Sequence, residues 1–314
     1  MKIIVAGGTG FIGTPLITRL LRDGHAVTVL TRSPKKIVSS HNSLSAVQWD
    51  AKTQGGWVGV VDGADAIINL TGELIAGKRW TRRQKDVILA SRVESTRALV
   101  TAIEHAQKKP SVLINNSAVG FYGDVPDGDV SETAPAGTDF LAQVCLNWEA
   151  EALVAKKFGV RVVTPRLGVV LAPRGGALAR LVVPFRFFAG GYVGTGRQWF
   201  PWIHIDDLIG GFVFLLAHPS VEGPVNFVAP HAVTMKEFAR TLGEVMHRPS
   251  WTSVPSFVLR IALGEMAEML LTGQRVIPQK LLEAGYRFEY ATANGALTDI
   301  LKRQVSMVSG HQQL

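Results

Sequence analysis

The chain has one cysteine, Cys145, among 314 residues, which excludes an internal disulfide framework and any cysteine-based zinc site. Charged residues make up only 18%, and no long basic run occurs. The net charge of +8 therefore reads as a general preference for anions rather than as a nucleic-acid surface. No stretch of about 18 uninterrupted apolar residues is found, so no transmembrane helix is expected. No signal peptide precedes the first strand, because Met1-Lys2 leads straight into it, and the expected location is cytoplasmic. Internal repeats and low-complexity tracts are missing as well. Tyrosine is scarce: Tyr122, Tyr192, Tyr286 and Tyr290 are all there are.

Glycine, at 32 residues, and a 47% hydrophobic content stand against these absences. A short apolar run, Ile3 to Ala6, reads as a buried parallel strand. Glycines follow at 7, 10 and 13, then an amphipathic helix from Pro15. Strand, tight glycine turn and helix together offer backbone N–H groups and a positive helix end to a pyrophosphate. Gly7 suits the tight turn, Gly10 the close approach of a phosphate, and Gly13 the packing of helix on strand. Thr9, Phe11 and Ile12 belong to the same expected cofactor-binding turn. The second strand, Ala26 to Leu30, ends in Thr31-Arg32-Ser33-Pro34-Lys35-Lys36. An acid there would bind the ribose 2′-hydroxyl of NAD, whereas an arginine accommodates a 2′-phosphate. Arg32 therefore favours NADP(H), a solvated basic turn being the plainer reading.

Strands and helices alternate over the first two-thirds, which predicts an α/β fold with a Rossmann-type doubly wound parallel sheet. Further strands are expected near 46–50, 65–72, 111–117, 160–166 and 224–228. Helices are expected over 81–105, 140–157 and 206–218, with a loop to about 138. The expected domains are a dinucleotide-binding domain over 1–230, with 171–203 contributing to a substrate cleft, and a small, mostly helical C-terminal lobe over 231–301. A frayed tail is expected over 302–314.

Gly7-Gly8-Thr9-Gly10-Phe11-Ile12-Gly13, Asn69-Leu70-Thr71-Gly72, Ser117 before Phe121-Tyr122-Gly123, and Trp202-Ile203-His204-Ile205-Asp206-Asp207 resemble the extended short-chain dehydrogenase/reductases of the NAD-dependent epimerase/dehydratase superfamily. The chain is similar to an atypical branch, whose members are epimerase family proteins of unknown substrate with a short C-terminal domain of their own. Features shared with that branch include Gly72-Glu73, Lys78-Arg79-Trp80-Thr81 and Gly273-Gln274-Arg275-Val276-Ile277-Pro278. The resemblance spans residues 1 to 300. It adds Leu70, Thr71, Gly72 and Arg166 to the expected cofactor-binding residues, and a homodimer through the helices after the fourth and fifth strands.

The superfamily's chemistry depends on a Tyr-x-x-x-Lys pair that this chain lacks. Four residues after its tyrosines stand Pro126, Gly196, Tyr290 and Asn294. The resemblance makes Ser117 a candidate catalytic residue that hydrogen-bonds a substrate oxygen; a satisfied turn hydroxyl is the alternative. Tyr122, on the loop beyond it, is read either as a proton donor or as a pocket wall. Glu73, Asp124, Arg186, Trp202 and His204 are the expected substrate-cleft residues, and no metal site is expected. The dense positive segment Lys78 to Lys85 reads as an anion site, a partner contact or a solvated helix turn capped by Thr81. Two function classes remain: an NADP(H)-dependent epimerase or reductase acting on a small carbonyl or hydroxyl compound, and a non-catalytic nucleotide-binding regulatory or scaffold protein.

Overall fold

A computed structural model describes residues 1–37 and 41–310, with all side chains except those of Lys36 and 305–310. The elements run β1 (Lys2–Ala6), α1 (Gly13–Arg22), β2 (Ala26–Thr31), β3 (Leu44–Gln48), β4 (Ala66–Asn69), α2 (Arg82–His105), β5 (Val112–Asn115) and β6 (Ser117–Ala118). They continue as β7 (Val125–Val130), α3 (Phe140–Leu153), β8 (Arg161–Leu167), β9 (Val169–Leu171), α4 (Leu178–Arg186), β10 (Gly190–Val193), β11 (Trp202–His204), α5 (Ile205–Ala217) and β12 (Gly223–Phe227). The last part comprises α6 (Met235–Met246), β13 (Ser250–Val254), α7 (Ser256–Leu263), α8 (Glu268–Leu271), β14 (Gln274–Val276), α9 (Gln279–Glu283) and α10 (Ala293–Gly310).

The main sheet has the order β12-β8-β5-β4-β1-β2-β3, with β6 beside β8. β1 lies parallel to both β2 and β4, and the chain reverses its direction of travel across the sheet at β1. This is the doubly wound order expected from the alternating pattern. The central strands read as continuous apolar runs because helices cover both faces. Ile4, Ile67, Leu113 and Val162 of the sheet pack with Leu99 and Ile103 of α2 and Ala152 of α3. Thr81 caps α2, its side chain accepting the N–H of Gln84, as its place before the helix predicts. Trp148 of α3 is buried here and donates its indole N–H to Thr96, which places it in the core of this unit.

Two compact units interleave along the chain. The first holds 1–121, 138–166 and 209–225; the second holds 122–137, 167–208 and 226–314. The second is built from α4, α6 and α10 with three strand pairs, β9–β11, β10–β13 and β7–β14. The segment expected to loop as far as 138 thus supplies β7. The core of this unit joins Phe185, Trp202, Phe238, Leu242, Leu297 and Ile300. α10 continues to Gly310, past the point at 302 where fraying is expected, because Ala296, Leu297 and Ile300 bury one of its faces. Residues 311–314 lie outside the described residues. Among the described residues, no helix is long and apolar enough to cross a membrane.

His204 and Asp207 knit the second unit together. The Asp207 carboxylate accepts the backbone N–H groups of Glu289 (2.7 Å) and Tyr290 (2.9 Å). His204 is fully buried and stacks on Tyr290, with ring centroids 3.8 Å apart. Its Nδ1 accepts the N–H of Asp206, and its Nε2 lies 3.3 Å from the Asp299 carboxylate. Arg303 pairs with both Asp206 (2.8 Å) and Asp299 (2.7 Å). Burial holds the imidazole below its ordinary value of 6.5, and Arg303 adds to this, against the raising effect of Asp206 and Asp299. A lowered folded value means that the unfolded chain takes up the proton first, so stability is lost as pH falls through 6.5. We expect His204→Gln to flatten this part of the profile. Urea unfolding of both proteins at pH 7.5 and pH 5 checks it, and equal acid losses would refute it.

Candidate functional site

The glycine turn is fixed by contacts that admit no side chain. Gly7 has φ +77°, and a Cβ there would stand 3.0 Å from the Leu70 carbonyl and 3.1 Å from the Thr71 nitrogen. A Cβ at Gly13 would stand 2.5 Å from the Gly8 Cα and 2.6 Å from the Gly7 oxygen. The turn therefore packs on the end of β4 and on the first turn of α1. No side chain caps α1 and no acid occupies its first turn, so its positive end is open to an anion. Thr9, Gly10 and Phe11 are exposed and Ile12 is half-buried at this end.

Arg32 is exposed at the end of β2, where the sequence places it. It borders a hollow of about 250 Å³ with Gln48, Trp49, Asp50 and Trp57. The two indole rings lie 5.2 Å apart. Asp50 turns its carboxylate onto the N–H groups of Lys52 and Thr53 and the Thr53 hydroxyl, and these bonds hold it below the usual carboxylate range. The Lys36 side chain lies outside the described residues.

The Leu70-Thr71-Gly72 segment is held by a buried amide network that the sequence does not announce. Asn69 donates to Asn115 (2.7 Å) and to Thr96 (3.1 Å), and its oxygen accepts the Thr71 N–H. Thr71 Oγ1 and Asn116 Oδ1, after β4 and β5, are buried polar atoms with no partner among the described residues. Buried polar atoms of this kind are costly unless a ligand or water satisfies them. The uncapped helix end, the turn closed by Gly7 and Gly13, and these two atoms fit a dinucleotide along the carboxyl ends of β1, β4 and β5.

Ser117 stands just past β5 and is 2% exposed. It does not bond its local backbone as a turn hydroxyl would. Its Oγ donates to Oε1 of Glu149 at 2.6 Å. Arg166 of β8 clasps the same carboxylate at 2.8 Å through both Nε and Nη2. The Arg166 guanidinium also lies 3.4 Å from the centroid of the Phe121 ring. Arg166, an expected cofactor-binding residue, is 3% exposed and directs these bonds to Glu149. Glu149 escapes the sequence reading, although a signal exists. Cys145 and Glu149 share one face of α3 at the four-residue spacing that the superfamily uses for its tyrosine and lysine. Burial pushes the Cys145 thiol up to about 11.

Other expected residues take structural places. Tyr122 is 2% exposed and its hydroxyl donates to Asn226 at 2.6 Å. That bond lies inside the second unit. The Asp124 carboxylate accepts the Gly273 N–H at 3.1 Å where β7 meets β14. Trp202 is 1% exposed and His204 fully buried. Arg186 is exposed in the last turn of α4. Glu73 donates its N–H to Ser91 and gives its carbonyl to Arg92. Lys78, Arg79, Arg82 and Arg83 are exposed at the start of α2, while Lys85 Nζ lies 5.0 Å from the centroid of the Phe140 ring.

Comparison with known proteins shows the family. Residues 3–228 match the model of the NAD dependent epimerase/dehydratase family, and 254–300 match a domain of unknown function, DUF1731. A chloroplastic epimerase family protein SDR39U1 homolog of Arabidopsis thaliana is 41% identical over 96% of this chain and 87% of its own. Epimerase family protein YfhF of Bacillus subtilis is 38% identical over 96% and 98%. The crystal structure of the human epimerase family protein SDR39U1 with NADPH is 35% identical, superposes with a TM-score of 0.85, and covers 96% of this chain and 99% of that one. The chain belongs to the NAD dependent epimerase/dehydratase family.

Proposed function

We propose that the protein binds NADP(H) and acts as an epimerase or reductase on a small carbonyl or hydroxyl compound. The human relative solved with NADPH and the exposed Arg32 at the end of β2 support the cofactor. Gly7 to Gly13 and the α1 terminus would hold the pyrophosphate, and Thr71 would meet the dinucleotide beyond β4. The bound nicotinamide supplies hydride chemistry. This chain's residues supply position and proton handling.

The hydrogen bond from Ser117 to Glu149 carries the catalytic part of the proposal. A hydroxyl 2.6 Å from a buried carboxylate can pass its proton there as it receives one from a substrate hydroxyl. Arg166 keeps the carboxylate oriented through two parallel bonds. Ser117 and Glu149 together would then replace the missing tyrosine and lysine.

Two measurements test the reading. Arg32→Asp should lower NADPH affinity relative to NADH by roughly 10- to 100-fold, the loss of a charged hydrogen bond. An unchanged ratio by fluorescence titration would reject the assignment of Arg32. A panel of carbonyl compounds and sugar nucleotides should reveal turnover with NADPH. In Ser117→Ala the turnover number should fall by about 100-fold or more, with a smaller change in KM. Absence of turnover across the panel would refute the enzyme reading.

A further inference from the structure

Among the described residues, Arg92 is a buried cation without a counter-anion. It sits on α2 and is 7% exposed. Its Nη1 donates to the carbonyls of Ile88 (3.0 Å) and Glu73 (3.2 Å), and its Nη2 to the same Glu73 carbonyl (3.2 Å). The Trp148 ring centroid lies 5.1 Å from Cζ. These bonds use the end of the guanidinium fork. Its side edge, Nε–H with the second Nη2–H, has no partner among the described residues. That is the edge with which Arg166 grips the Glu149 carboxylate in the same protein. No carboxylate of the described residues forms an ion pair with Arg92. Glu73 is near enough to favour its charge yet stands outside ion-pair distance, and the high value of the Cys145 thiol keeps it neutral.

Gly72 packs directly on this group. It is exposed, and a Cβ there would come within 3.1–3.3 Å of the guanidinium carbon and both terminal nitrogens. Any side chain at 72 would crowd the guanidinium, so the turn that follows β4 lies against the charged group. Buried charges persist where they are paired or where a ligand completes them. A planar guanidinium edge suits an oxyanion, above all a carboxylate taken by two parallel bonds.

We propose that Arg92 binds an oxyanion carried by the substrate, a carboxylate in the first place, in a site roofed by Gly72. The proposal rests on the enzyme reading above and narrows its substrate class to anionic compounds. The dinucleotide's pyrophosphate has its own place at the start of α1.

The test uses acetate and inorganic phosphate as probes, titrated calorimetrically into the full chain with and without NADPH, against chloride at equal ionic strength. Saturable acetate binding should weaken at least tenfold in Arg92→Gln and recover in part in Arg92→Lys, with NADPH affinity changing less than threefold. Equal anion binding by wild type and Arg92→Gln, or none by wild type, overturns the proposal. A tenfold loss of NADPH affinity in Arg92→Gln also overturns it, because Arg92 would then hold a cofactor phosphate. Failure of wild type to bind NADPH while acetate still depends on Arg92 would remove the cofactor reading and leave the anion site standing. If Arg92→Gln does not fold, a wild-type crystal grown in acetate decides: an anion against Nε and Nη2 supports the site, and density elsewhere refutes it.

Discussion

The buried pair of Glu149 and Arg166 is the constraint around which the candidate site is arranged. Burying two charges is expensive, and such a pair contributes little net stability even with good geometry. Its loss on one side is another matter, since an unpaired buried charge costs about 3–5 kcal/mol. The pair therefore fixes much with little gain of its own. It ties α3 to β8, sets the direction of the Ser117 hydroxyl, and holds a flat guanidinium against Phe121. The helix without the usual tyrosine and lysine carries the acid, and the next strand carries the arginine that pairs with it.

The same economy runs through the amide network beneath it. Asn69, Thr96, Asn115 and Trp148 satisfy one another where β4 and β5 end, so the turn at 70–72 is placed by side chains from α2, α3 and both strands. Polar groups in such a place specify one arrangement, because each alternative leaves a donor or acceptor unmet. Beside it, Thr71 Oγ1 and Asn116 Oδ1 have no partner among the described residues.

What could be read from the sequence was local. The glycine turn, the cap at Thr81, the basic end of β2 and the alternation of strand and helix each depend on residues within a few positions of one another. What could not be read depends on partners far apart in the chain. Glu149 meets Ser117 across 32 residues, Tyr122 meets Asn226 across 104, and the β7–β14 pair joins segments about 150 residues apart. Tyr122 illustrates the difference: its position after Ser117 is visible in the sequence, while its bond to Asn226 is not. The interleaving of the two units has the same cause, since no composition shift marks where the chain leaves one and enters the other.

The tryptophan pair beside Arg32 has an optical consequence. Trp49 is 3% exposed, as is Trp57, and both line the hollow at the end of β2. Indole emission overlaps the absorption of a reduced nicotinamide, so two rigid, shielded donors stand next to the place where the adenosine end of a dinucleotide would settle. The protein thereby carries its own reporter of occupancy, with no label attached and no residue altered.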